Sequence, residues 1–87
     1  MKTTFLLMAR YEGLAIIPIE AVCKDYFPHL RPDQFIRKLG SGEIRLPLVH
    51  IEKSQKAAKG IPLTDLAAYI DAQIESARRD LHALTRD

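Results

Sequence analysis

The sequence predicts a mainly α-helical domain with a small β-hairpin, arranged as a winged helix-turn-helix followed by a long C-terminal helix. Residues 18–41 contain two short amphipathic segments joined by about four residues, which is typical of a helix-turn-helix. Residues 46–63 contain two short apolar runs, each with a proline, around a polar and basic stretch, which predicts a hairpin wing. In residues 64–84 the apolar positions recur at alternating spacings of four and three, which favours one long helix. A chain of 87 residues forms one domain, spanning 1–87.

The composition indicates a globular protein of the cytoplasm. The hydrophobic fraction of 47% is too high for a disordered chain, and a single cysteine excludes an internal disulfide framework. The apolar run at residues 5–9 is too short for the core of a signal peptide, and no run approaches the roughly 18 apolar residues of a membrane span. We therefore expect a cytoplasmic, nucleoid-associated protein with no membrane partner.

The charge is distributed unevenly along the chain. The net charge is only +2, but residues 24–60 contain eight Lys or Arg against four Asp or Glu, and residues 61–87 contain three against five. A polyanion would therefore bind the middle of the chain. Together with the helix-turn-helix and the wing, this predicts double-stranded DNA as the partner.

The first predicted element is a helix over residues 3–12. Thr3 and Thr4 suit its start and Gly13 its end, although a short strand is the alternative for so brief an apolar run. The side chains expected to face inward are Phe5, Leu6, Met8 and Tyr11. The β-branched residues before Pro18 should then be extended.

The helix-turn-helix is predicted from Pro18 to Ser41. Its first helix begins at Pro18 and ends at Pro28, with an apolar stripe formed by Ile19, Val22, Cys23, Tyr26 and Phe27. Its second helix has Pro32 in the first turn and glycines at its end, with an inward face formed by Phe35, Ile36 and Leu39.

The outer face of the second helix carries a polar row of the kind that reads DNA. Arginine suits bidentate contact with guanine, and glutamine suits adenine. The same row also fits an ordinary solvated helix face, which is the alternative. The predicted DNA contacts of this recognition helix are Arg31, Gln34, Arg37, Lys38 and Ser41.

The wing provides the second predicted DNA contact. Its lysines would neutralise phosphates, and its small polar residues would reach the adjacent minor groove. A solvated loop is the alternative. The predicted contacts of the wing and its flank are Arg45, Lys53, Ser54, Gln55, Lys56 and Lys59.

The long helix is predicted over residues 64–84, with Thr64 and Asp65 as capping residues. Its first half should cover the core, whereas its second half extends past the body of the domain. We expect the second half to form a dimerisation seam, which favours a homodimer; antiparallel packing of this half against the first helix of the same chain is the alternative. The predicted seam residues are Ile70, Ile74, Ala77, Leu81 and Leu84.

No residue pattern predicts an enzyme, a cofactor, a metal site or a small-molecule ligand. Cys23 lies on an apolar stripe and should be a buried small hydrophobe. His29, His50 and His82 are scattered over three elements without the paired spacing of a zinc site. The tyrosines and phenylalanines should belong to the core rather than to base-stacking platforms.

Four segments in order resemble the pyocin activator protein family (PrtN-type), a group of small bacterial regulators. They are TTFLLMARYEG at 3–13, IPIEAVCKDYF at 17–27, SQKAAKG at 54–60 and LTDLAAYIDAQIESAR at 63–78. More distantly, the chain is similar to excisionase and MerR-like winged helix-turn-helix proteins. The resemblance implies a sequence-specific DNA-binding activator of phage-tail-like bacteriocin (pyocin) genes in prophage-like loci.

On this reading the protein binds boxes upstream of promoters, and RNA polymerase is the further partner. Two alternative functions stay open. One is an excisionase-like architectural protein that bends DNA. The other is a protein-binding adaptor that acts through its C-terminal helix rather than on DNA.

Overall fold

The computed structural model describes residues 2–53 and 58–85, and these form four helices and a small antiparallel sheet. The predicted fold class is confirmed. The elements are α1 (Lys2–Arg10), β1 (Ile16–Pro18), α2 (Ile19–Tyr26), α3 (Pro32–Ser41), β2 (Val49–His50), β3 (Lys59–Pro62) and α4 (Leu63–Thr85).

The sheet has three strands where the sequence predicted a two-stranded hairpin. The extended segment before α2 becomes β1 and pairs with β3, with Ile17 opposite Ile61, so that the strand order is β1-β3-β2. The wing strand β2 is reduced to two residues. Because β3 is central, it fixes the base of the wing to the segment that leads into α2.

The inward face predicted for α1 is wrong at three positions and correct only at Tyr11. Phe5, Leu6 and Met8 are 73%, 66% and 47% exposed, whereas Leu7 and Tyr11 are buried. The element is a helix, so the alternative of a strand is also wrong. The run FLLMA is apolar on every side of a helix, and its hydrophobic pattern therefore could not identify the face that packs.

Polar contacts fix the orientation of α1. The Tyr11 hydroxyl donates a hydrogen bond of 2.6 Å to Asp25 in α2, and the Arg10 guanidinium lies 3.1 Å from the same carboxylate. The hydrogen bond from Tyr11, together with the charge of Arg10, lowers the pKa of Asp25, although burial opposes this shift. Burial and the Asp25 carboxylate raise the pKa of Tyr11. These contacts select the face of α1 that carries Leu7 and Tyr11.

The core holds α2, α3, the sheet and the start of α4 together. Phe35 on α3 is fully buried and stacks on Phe27 with ring centroids 4.8 Å apart. Cys23 is buried, as predicted, and burial raises the pKa of its thiol. Tyr26, which the sequence placed on the inward stripe, is instead 39% exposed. The aromatic residues are therefore divided between core and surface.

α4 begins in the core and then leaves it. The Leu63 amide donates to the Ala15 carbonyl at 2.8 Å, and the Thr3 hydroxyl donates to Asp71 at 2.5 Å. These two contacts show that α1 runs antiparallel to the first half of α4, whereas the intramolecular alternative placed the first helix against the second half. The second half is not covered in this way, since Leu81 and Leu84 are 60% and 84% exposed.

Candidate nucleic-acid interface

Both ends of α3 are fixed by local hydrogen bonds. Pro32 lies in the first turn, and the Gln34 side-chain oxygen accepts a hydrogen bond of 3.0 Å from the Arg31 amide, as in a capping box. At the other end Gly42 has a φ of +81°, a left-handed conformation that glycine adopts at little cost. The helix is therefore held at both ends before any ligand arrives.

The polar row predicted on α3 exists as one surface. Gln34, Arg37, Lys38 and Ser41 line a shallow depression together with Leu30 and Glu43. Arg37 and Ser41 are exposed, and Gln34 and Lys38 are half-buried. The opposite face carries Phe35 and Leu39, which are buried. The geometry therefore presents amide, guanidinium, ammonium and hydroxyl groups on a helix that the core holds from behind.

Two residues of this row also close the helix ends. The Ser41 hydroxyl donates to the Lys38 carbonyl at 3.1 Å and accepts from the Glu43 amide at 3.3 Å. The Gln34 side-chain oxygen accepts the hydrogen bond from the Arg31 amide, so the NH₂ group of Gln34 is the part that can donate to a ligand. Ser41 thus has a structural role that the sequence pattern did not reveal.

Carboxylates neutralise two of the predicted cations. Lys38 forms an ion pair with Glu43, and the Arg31 guanidinium lies 3.3 Å from Asp33. Arg37 has no ion-pair partner among the described residues. Glu43 is the site residue that the sequence reasoning missed. Its position just past the left-handed turn at Gly42 brings its side chain back onto the helix.

The wing residues are only partly described. Arg45 is exposed between the buried Ile44 and Leu46, and Lys53 is exposed. Lys59 was expected at the wing tip, but it lies within β3 opposite His50 and is half-buried, because the strand begins earlier than the sequence suggested. Ser54, Gln55 and Lys56 lie outside the described residues.

Metal-ligand clusters and membrane-spanning helices are two further kinds of feature that residues 2–53 and 58–85 could contain. No cluster of three or more His, Cys, Asp or Glu side chains in these ranges has an arrangement that could hold a metal ion. None of the described helices is both long and apolar enough to cross a membrane.

A family model described as pyocin activator protein PrtN matches residues 3–77 of the chain. The match runs from α1 to the middle of α4, and it includes all of α3, Glu43 and the wing. Neither the curated proteins nor the solved structures contain a significant match.

Proposed function

Because the chain belongs to the pyocin activator protein (PrtN) family, we propose that it is a transcriptional activator that binds double-stranded DNA upstream of phage-tail-like bacteriocin genes in the cytoplasm. The family match over residues 3–77 carries the proposal. The exposed polar row on α3, backed by buried Phe35 and Leu39, is the surface that we assign to DNA.

In this mechanism α3 enters the major groove and the wing spans the adjacent backbone. Arg37 is the principal reader, because it is exposed and carries a planar guanidinium that fits the acceptor edge of guanine. The free NH₂ of Gln34 reaches a base acceptor, and Lys38 exchanges Glu43 for a phosphate or base oxygen. Arg45 and Lys53 contact phosphates on either side of β2.

The protein acts as a homodimer on this view, with two copies reading two half-sites. The second half of α4 supports this, since its predicted seam leaves the body of the domain and exposes Leu81 and Leu84. Binding upstream of a promoter would then place an activating surface near RNA polymerase.

Binding to DNA from the bacteriocin loci tests the proposal directly. We expect gel shifts and footprints at moderate salt on fragments upstream of those promoters, and not on unrelated fragments of equal length. Retention of no fragment would refute DNA binding and favour a protein-binding adaptor. Protected sites at recombination junctions with strong bending would favour an excisionase-like protein.

Three single substitutions, each removing one positive charge, distinguish recognition of DNA bases from electrostatic attraction to the phosphates. Arg37→Ala should weaken the specific site by about 1–3 kcal/mol and relax the base preference. Lys53→Ala should weaken all sequences alike and lower the salt slope by about one unit. Arg79→Ala, on the exposed side of α4, is the matched control and should change neither quantity. Equal losses on every sequence for Arg37→Ala and Lys53→Ala would show that α3 is not the reader.

A further inference from the structure

The second half of α4 and a groove beside its first half have complementary shapes and chemistry. The groove lies between the end of α2 and α4 and encloses about 420 Å³. Tyr26, Leu66, Tyr69 and Ile70 contribute to its lining, which is mostly apolar. The apolar seam of α4 continues out of this groove through Ile74 and Ala77, which also line it, to Leu81 and Leu84.

Among residues 2–53 and 58–85, no part of the same chain covers the outer part of this seam. The hydrogen bond from Thr3 to Asp71 joins the first turn of α1 to α4, and α1 begins one residue before Thr3. α4 continues from Asp71 to Thr85, which is fourteen residues or about 21 Å at the rise of an α-helix. Ile74, Leu81 and Leu84 are exposed along this length.

We infer that a second copy of this chain occupies the groove, with the two α4 helices antiparallel, so that Leu81 and Leu84 of each copy pack against Ile70, Tyr69 and Tyr26 of the other. The inference rests on the proposed pairing of two copies and not on DNA binding. One antiparallel register makes the seam self-complementary. In that register Ile74 of one copy lies beside Ala77 of the other, and Ile70 of one copy then lies beside Leu81 of the other. Each protruding end then reaches the groove of the other copy.

The charges along the seam favour the antiparallel arrangement. Asp71 and Arg78 are seven residues apart and therefore lie on the same edge of α4. In the antiparallel pair, Asp71 of one copy faces Arg78 of the other, and this occurs twice. In a parallel pair the edge with Asp71 and Arg78 meets the edge that carries Leu66, Gln73 and Asp80, so Asp71 gains no cationic partner. The second oxygen of Asp71 is available, because Thr3 bonds only to Oδ1.

Disulfide trapping distinguishes the arrangement from its alternatives. In a background of Cys23→Ala, Tyr26→Cys protein is mixed with Leu84→Cys protein, and the mixture is oxidised. We expect a mixed disulfide dimer, identified by its mass. Leu84→Cys alone should give little dimer, since the two ends lie far apart in the antiparallel pair. Tyr26→Cys mixed with Arg79→Cys, on the outer side of α4, is the matched control and should also give little.

Sedimentation of the full chain separates failure of the arrangement from failure of the pairing. We expect a dimeric mass for the wild type, a monomeric mass for Leu81→Asp and a dimeric mass for Ala72→Asp, which places the same charge on an exposed α4 position outside the seam. A monomeric wild type would overturn both the proposed dimer and this inference, and it would leave DNA binding untouched. A dimer in which Leu84→Cys cross-links to itself would keep the pairing but overturn the antiparallel arrangement.

Discussion

Gly60→Ala tests the close approach of β1 and β3, on which the position of the wing depends. A Cβ atom at Gly60 would lie 2.5 Å from the Ile17 carbonyl oxygen and 2.6 Å from Ile16 Cγ2. The oxygen belongs to backbone paired with β3, and Ile17 and Ile61 beside it are fully buried. The strands would therefore have to separate by at least 0.5 Å to reach the 3.0 Å limit of real Cβ contacts. The clash cannot be relieved by a side-chain rotation.

The expected cost is about 3 kcal/mol in the free energy of unfolding, at the upper end of the range for overpacking. For a domain of this size such a loss lowers Tm by about 12–24 °C. Gly40→Ala is the matched control. Gly40 lies within α3, and an added Cβ meets no atom within 4 Å. Alanine should therefore stabilise by about 0.5–1 kcal/mol through helix propensity.

Urea denaturation followed by circular dichroism measures both changes, and similar m values would show that the unfolded states are comparable. A free energy of unfolding for Gly60→Ala within 0.5 kcal/mol of wild type would refute the close approach of the two strands. Equal destabilisation by Gly40→Ala would show that the loss reflects a general effect of replacing glycine. In that case the contact with Ile17 would not be its cause.

Three further predictions concern α1 and the candidate interface. In urea denaturation, Leu7→Ala should lower the free energy of unfolding by about 2–5 kcal/mol because Leu7 is buried. Phe5→Ser should lower it by less than about 0.5 kcal/mol because Phe5 is exposed. The reverse order would contradict the observed face of α1. Tyr11→Phe should cost about 1.5 kcal/mol at pH 7. The hydrogen bond from Tyr11 holds the pKa of Asp25 below the unfolded value, so this stability is present above about pH 3.9 and is lost as the pH falls through the folded pKa. The difference in free energy of unfolding between wild type and Tyr11→Phe, measured from pH 7 to pH 2, should therefore shrink at low pH. A difference that stays constant would exclude Asp25 as the cause. Glu43→Gln should free Lys38 and tighten DNA binding up to about fivefold at low salt in fluorescence anisotropy, and weaker binding would mean that Glu43 itself contacts DNA.

The sequence predicted the structure most accurately where several local signals agreed. In α3 the proline in the first turn, the terminating glycine and the spacing of Phe35 and Leu39 all agree, and the structure confirms both its bounds and its buried face. Its polar row follows from the same spacing, because residues three and four apart share a helix face. Cys23 was correctly placed in the core for the same reason.

The sequence predicted poorly where the local pattern was uniform or where a distant partner decided the outcome. The run FLLMA in α1 is apolar on every side, so the inner face of the helix is selected by Tyr11 and Thr3, which bond to Asp25 and Asp71 elsewhere in the chain. The β-branched residues before Pro18 were correctly predicted to be extended, but pairing in a sheet was not predicted, because a strand exists only when a partner such as β3 lies beside it. Lys59 was misplaced at the wing tip because no turn signal marked the start of β3.

By itself, the sequence determined the fold class, the family and the polar face of α3, since periodicity, capping residues and segment order are local properties that distant contacts do not change. The departure of α4 from the core was predicted from the sequence, and the burial of Leu66 and Ala67 together with the exposure of Leu81 and Leu84 confirms it. Only the tertiary structure decided the third strand, the orientation of α1 and the pairing of Lys38 with Glu43. These features depend on groups that are distant along the chain, or on the two sides of a turn, and come together only when the domain has folded.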